Sequence, residues 1–322
     1  MQIIVARSAQ QMAGLRPVWE ALCLPGKTTI FQDFHWNLLA FTMFAGREEP
    51  YVVCVKASYG VAIVPAVIRR RSLSLRLLGE ELFDYRNVLH HGDAEVLGCA
   101  LASLAPLTLP LEVVAMRAQD RVPLFDRLDI VPFSSAPAVS YPDSPPEAFA
   151  TAHRRLARNL RRMLRLGFAV RTYDGNNSTL LRSIYQRKAE QDSTNLFHDP
   201  VRIEFVVNAA LFHPKSFEIF TLERGSQLAA ALVTLRDGPY RRFYTGWFDP
   251  EFETLSPAMT LIYEVSWRSL AEGMDCDYMT GEQAYKMRLA TASLPLYRLR
   301  ATPAQLAALG QTAAAPALRP AA

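Results

Sequence analysis

The chain has 322 residues, half of them hydrophobic and a fifth charged, which excludes a disordered polypeptide and suits two domains of about 150 residues. Lys and Arg number 35 against 31 acids, and a net charge of +4 is too small to argue for nucleic acid by itself. Four scattered cysteines without a CxxC pair exclude a disulfide framework or a cysteine zinc site. No stretch approaches the roughly 20 apolar residues of a membrane span, and the N-terminus lacks the pattern of a leader, so a cytoplasmic protein is expected.

In chain order, a short strand at residues 3–5 precedes a helix over 13–22. Asp33 then N-caps a helix over 33–44. Strand patterns follow at 51–56, 61–70 and 73–78, a meander with turns at Gly60 and Gly79. A helix is expected over 92–104, a strand over 111–116 and a short helix over 120–128. The Ser- and Pro-rich stretch 134–146 reads as a boundary between domains 1–140 and 141–310.

The second half opens with an Arg-rich helix over 147–166, stopped by Gly167. A strand at 168–173 and helices over 179–191 and 201–211 lead to a second meander, 217–223, 228–236 and 240–246. A helix over 258–272 and a strand at 276–279 close the pattern. Both meanders end on a Gly followed by an acid (Asp84, Asp249), as two copies of one αβ unit would. Residues 311–322, rich in Ala and Pro, read as a disordered tail.

The strand–loop–helix run Tyr244-Thr-Gly-Trp-Phe-Asp-Pro250 to Ser256-Pro257 and the block Asp277-Tyr-Met-Thr-Gly-Glu-Gln-Ala-Tyr-Lys286 carry a resemblance. So do Phe31-Gln-Asp-Phe-His-Trp36, Val64-Pro65, Leu77-Leu-Gly-Glu80, Asp84-Tyr85 and the helix Arg154-Arg-Leu-Ala-Arg-Asn-Leu-Arg-Arg162. Over nearly its whole length the chain resembles the GNAT acyltransferases of the CelD/BcsL type, linked to cellulose and exopolysaccharide production. More distantly it is similar to the tandem-GNAT FemABX aminoacyl transferases. The resemblance implies an α/β fold of tandem GNAT-like domains, each a mixed, mostly antiparallel sheet flanked by helices. It also implies acyl-CoA as cosubstrate, no permanently bound cofactor, and direct attack on the thioester in cell-envelope or exopolysaccharide metabolism. The alternatives are an aminoacyl-tRNA-dependent transferase or a non-catalytic accessory protein.

Ser256 as N-cap and Pro257 at the first helical position, followed by Ala258, Met259 and Thr260, open a helix whose free amides suit a pyrophosphate, with Tyr244 beside them. The family's usual Gly is replaced by Ala258, which keeps the ligand farther from the backbone. Of the strand-end cluster Asp277, Glu282, Tyr285 and Lys286, Glu282 suits a base and Tyr285 a donor to the leaving thiolate, while Lys286 suits oxyanion or phosphate stabilisation. A plainer reading makes Glu282 and Lys286 an i,i+4 helix pair. Asp84, Tyr85 and Trp247 are candidates for the acceptor, which would lie in a cleft between the domains. The arginines from Arg154 to Arg165 suit an anionic ligand. His90 and His91 point to opposite sides of a strand, and no metal site is expected.

Overall fold

The computed structural model describes residues 1–191 and 193–311. The chain divides into two compact units, Met1–Phe133 with the C-terminal residues from Pro295, and Ser134–Leu294. Each is a mixed, mostly antiparallel sheet carrying helices, as the strand and helix patterns predict.

In unit 1, β1 (Gln2–Ala6) pairs with β2 (Glu49–Ala57), and β2 with β3 (Gly60–Arg69), all antiparallel. The runs Val52–Val55 and Ala62–Val64 are fully buried, the behaviour of strands covered on both faces. Between β1 and β2 lie α1 (Ala9–Ala13), α2 (Arg16–Leu22) and α3 (Phe34–Met43). The carboxylate of Asp33 accepts from the amides of His35 at 2.8 Å and Trp36 at 3.2 Å, which is the expected cap. β4 (Ser74–Leu77) completes the meander, and β5 (Leu89–Gly92) pairs with the start of β3. Helix α4 (Ala94–Ala102) then leads to β6 (Leu111–Arg117), parallel to β4 at Leu75–Leu111. The expected helix over 120–128 is instead two short 3-10 turns.

The Ser/Pro stretch carries more structure than its composition suggests. β7 (Asp129–Val139) runs through the expected boundary, and unit 2 takes it from Ser134. The single Arg-rich helix is two, α5 (Pro146–Ala152) and α6 (Arg154–Arg165). The break falls at His153, whose backbone leaves the helical region and whose ring packs on Phe149 at 4.5 Å. Gly167 ends α6 at φ +86°, with Phe168 N–H bonded to Met163 O at 3.1 Å.

Strand β8 (Ala169–Asp174), α7 (Ser178–Gln191) and α8 (Pro200–Phe212) precede the antiparallel meander of β9 (Phe217–Arg224), β10 (Gln227–Asp237) and β11 (Tyr240–Phe248). Helix α9 (Pro257–Ala271) follows, then β12 (Asp275–Asp277), parallel to β11 and antiparallel to β7, and the short α10 (Ala284–Met287). Met163 on α6 and Leu261, Val265 and Leu270 on α9 are buried in one core with Leu232 of β10. Each such side chain contributes about 1.5–3 kcal/mol.

The last strand and helix depart from the expected 141–310 domain. β13 (Ala292–Ala301) pairs with β6 from Leu296–Arg117 to Ala301–Leu111, and α11 (Pro303–Gln311) packs on α4. Both therefore belong with unit 1 from Pro295 onward. Of the expected tail, Gln311 closes α11 and the rest lies outside the described residues. The order antiparallel meander, helix, parallel strand recurs: β2-β3-β4, α4, β6 in one unit and β9-β10-β11, α9, β12 in the other.

Candidate functional site

The parallel ladder between β11 and β12 spans Tyr240–Arg242 and Asp275–Asp277. Beyond it the strands part. β11 continues against β10 to Phe248, whereas Tyr278 N–H and Gly281 N–H bond to Pro137 O and Ser135 O of β7. A bulge between Val233 and Thr234 leaves Tyr244 as the extra residue of β11 at this point, where bulges bend and twist a strand.

Alternation fixes which groups face the parted edge. Asp249 N–H donates to Ala229 O at 2.9 Å, so Trp247 and Asp249 turn their backbone groups to β10, and Gly246 and Phe248 turn theirs away. The carbonyls on that free edge are taken by α7. Lys188 Nζ donates to Gly246 O at 2.9 Å, and Gln191 Nε2 donates to Phe248 O. The amides of Gly246 and Phe248 lie on the same edge. Sequence reasoning missed Lys188 and Gln191, because nothing local in α7 shows that a strand edge lies within reach.

Helix α9 follows β11 after the turn Pro250–Leu255, and Met259 of its first turn packs on the same core as Phe248. Ser256 sits at its N-cap with φ +49°, but its hydroxyl makes no capping bond, which corrects the expected Ser cap. Pro257 has no N–H and Thr260 N–H is bonded to Ser256 O at 3.0 Å. Ala258 and Met259 therefore hold the first-turn amides that helix geometry leaves open. Thr260 Oγ1 is buried without a hydrogen-bond partner among the described residues. The segment from Asp249 to Thr260 carries three acids, Asp249, Glu251 and Glu253, and no base.

Trp247 is buried, and its indole Nε1 also lacks a partner among the described residues. The guanidinium of Arg187 lies 5.2 Å from its ring centre. The indole lines an open groove of about 570 Å³ with Gln186, Arg187, Glu190 and Asp249.

The Asp277–Lys286 block is brought together, though not as a helix pair. Asp277 is buried, ion-paired with equally buried Arg242, and its Oδ1 accepts from Met279 N–H at 2.8 Å. That engagement ties the end of β12 to β11 and to the turn that follows. Lys286, only 7% exposed, donates to Thr280 O at 2.8 Å and Met279 O at 3.3 Å. It clamps the turn in which Met279 holds φ +66°. Glu282 precedes α10, so the i,i+4 pair with Lys286 does not exist as a helix contact; Glu282 Oε1 accepts from Ser135 Oγ at 2.6 Å. Glu282 and Tyr285 are exposed and Tyr285 stands on α10. Cys276 is fully buried, and burial pushes its thiol up to about 12, which removes it as a nucleophile at neutral pH.

Asp84 and Tyr85 belong to unit 1. Tyr85, expected at the acceptor, is buried against Phe31, with ring centres 6.1 Å apart. Asp84 is partly buried in the same loop.

Strand parting, bulge and helix start fall inside a segment with a recognisable pattern. Residues 150–287 match the family model described as acetyltransferase (GNAT) domain. No curated protein sequence matches the chain. Among solved structures it is similar to a C-terminal domain assigned to a lysylphosphatidylglycerol synthetase of Agrobacterium fabrum, at 10% identity and TM-score 0.61, covering 94% of this chain and 95% of that one. It is also similar to L-PGS from Bacillus licheniformis, at 8% identity and TM-score 0.60, over 97% and 98% of the two chains. FemX matches at 9% identity and TM-score 0.58, over 92% and 97%. Identities this low speak for the fold, and the overlays run through both units. The chain thus has a GNAT-like fold, and within the matched segment 150–287 β11, α9 and β12 frame the candidate site. No helix among the described residues is long and apolar enough to cross a membrane.

Proposed function

We propose that the chain transfers an acyl group from an acyl-CoA thioester to an amine or hydroxyl of a cell-envelope or exopolysaccharide precursor. The observation that supports this most is the parting of β11 from β12 after Arg242–Asp277, beside the start of α9. An extended pantetheine arm lies along the strand edge that has lost its neighbour; Lys188 and Gln191 already hold the carbonyls of that edge, so its amides are the groups left to the donor. The thioester carbonyl then lies beside the amides of Gly246 and Phe248, which are held by the sheet and donate to the tetrahedral oxyanion. The acceptor attacks the carbonyl carbon directly. The carbon–sulfur bond breaks, and the thiolate leaves with the proton that the acceptor releases. Glu282 and Tyr285 are the exposed titratable side chains of the block and would relay that proton. Lys286 and Asp277 hold the turn that carries them.

A second reading rests on the charge at α9. A CoA pyrophosphate there would meet Asp249, Glu251 and Glu253 with no Lys or Arg from 249 to 260, and Ala258 in place of Gly. An aminoacyl-tRNA donor brings no pyrophosphate to that helix. Isothermal titration with acetyl-CoA and filter binding with aminoacyl-tRNA separate the two. Saturable heat with acetyl-CoA supports the first reading, and binding of charged tRNA that CoA does not displace supports the second. Failure of acetyl-CoA, of a longer acyl-CoA and of charged tRNA to bind leaves a non-catalytic accessory protein and ends the transferase proposal.

A further inference from the structure

Helix α6 carries Arg154, Arg155, Arg158, Arg161, Arg162 and Arg165. At 3.6 residues per turn they fall within an arc of about 120°. Leu156, Leu160 and buried Met163 occupy the opposite side and pack into the core with α9. All six arginines are exposed. Among the described residues none of them has an ion-pair partner. Arg161 Nε and Arg165 Nε turn back to carbonyls of their own helix, Ala157 O and Arg161 O, both at 3.3 Å.

This is not the habit of the chain. Elsewhere in unit 2, Arg171, Arg182, Arg236, Arg241, Arg242 and Arg268 each hold a carboxylate. No Asp or Glu occurs between Ala148 and Tyr173. Like charges spaced three and four residues apart destabilise a helix unless an external anion lies over them.

We propose that this face docks the protein on an anionic lipid bilayer. The six guanidinium groups form a shallow, straight array, and each can take a headgroup phosphate in a two-pronged bond. Leu164 and Leu166, each 45% exposed, stand at the C-terminal end of the helix on either side of the arginine arc. Beside a bilayer they reach the boundary of the acyl chains. No aromatic side chain stands on α6 to stack a nucleobase, so the face is poorly equipped for single-stranded RNA.

The test is co-sedimentation of the full chain with phosphatidylcholine vesicles, with and without phosphatidylglycerol, at low and high salt. Binding is expected only with phosphatidylglycerol and is lost at high salt. Each arginine near the surface contributes about a fivefold change in partitioning, so R154Q/R158Q/R161Q/R165Q loses roughly several hundredfold. The matching quadruple Lys variant keeps most of the binding. Melting curves of both variants should match the parent, since the side chains are exposed; if the Gln quadruple does not fold, R158Q/R161Q reads the same loss on a smaller scale. Equal binding to neutral vesicles, no binding, or full binding by the Gln variant overturns the proposal. So does a single-stranded RNA that displaces the vesicles at equal phosphate and depends on the same arginines.

Discussion

Both units run an antiparallel meander into a helix and then a parallel strand, yet they treat the end of that meander in opposite ways. In unit 1 the chain after β4 folds back and fills it. Leu78, Leu82, Phe83 and Tyr85 are buried there, with Phe83 5.7 Å from both Phe31 and Trp36 between ring centres. A cavity of only about 10 Å³ remains, room for about one water. Helix α4 is closed by Asp93, whose carboxylate accepts from Glu95 N–H at 2.9 Å. In unit 2 the strand beyond the ladder has no strand neighbour on that edge, the helix start has no side-chain cap, and Trp247 Nε1 and Thr260 Oγ1 are buried without partners among the described residues. One meander end is closed by an apolar cluster and the other is open at its edge; buried polar atoms without partners among the described residues occur in unit 1 as well, at Glu48 Oε2, Arg76 Nε and Arg298 Nε. Unsatisfied buried groups cost about 1–3 kcal/mol each, a cost expected at functional sites.

The largest expected effect comes from the ion pair where β11 and β12 separate. Asp277→Ala leaves Arg242 buried with Asp237 as its remaining carboxylate partner, at 2.6 Å. Breaking a buried pair costs about 3–5 kcal/mol, read as a fall in the urea midpoint. A loss of activity with an unchanged midpoint would instead return Asp277 to the chemistry. The next effect contrasts two glycines. Gly79, at φ +105°, would place a Cβ 2.3 Å from the Phe83 ring, whereas at Gly246 the nearest atom is Leu232 Cδ1 at 3.9 Å. Gly79→Ala should cost about 2–4 kcal/mol through overpacking and backbone strain. Gly246→Ala should stay within about 1 kcal/mol, its main penalty being access to the free edge. Similar melting shifts for both would break the contrast between a filled and an open site. Lys286→Met comes third: two carbonyls lose their donor, a cost of about 1–3 kcal/mol by chemical denaturation. Reduced turnover at full stability would show that Lys286 acts on substrate.

The meanders were legible because period-two patterns and Gly turns are local, and so was the resemblance of Tyr244–Pro250 and Asp277–Lys286 to GNAT proteins. The GNAT match and the mixed sheet agree with that reading. Illegible features depend on partners far away in sequence. Asp277 reads as a strand-end acid until Arg242 is placed against it, and Tyr85 as a polar-loop residue until Phe31 and Arg117 surround it. Lys188 reaches a carbonyl 58 residues away. The return of β13 to β6 left little trace, because Leu296 and Leu299 stand three apart and break period-two alternation, both being buried only through an irregularity between Tyr297 and Leu299.

The two helix starts offer a finer test. Asp93→Ala removes a working cap and should cost about 0.5–2 kcal/mol. Ser256 makes no such bond and holds φ +49°, so Ser256→Gly should stabilise by up to about 1 kcal/mol. Losses of equal size at both positions would mean that Ser256 caps α9 in solution and that its amides are not open.

The smallest expected effect is a pH dependence shared between the units. His90 on β5 and His153 at the α5–α6 break both titrate below the ordinary histidine value because burial penalises the imidazolium, with His91 adding to it at His90. The folded state therefore binds fewer protons than the unfolded chain just below the free value, about 6.5. Their contribution to stability is complete above that pH and is lost as pH falls from there through the two folded values. His153→Leu should flatten part of this acid slope and leave the remainder to His90, measured as urea midpoints across mildly acidic pH. If both single variants and the double variant keep the parent slope, neither imidazole is held neutral by its unit, and the acid response must come from carboxylates instead.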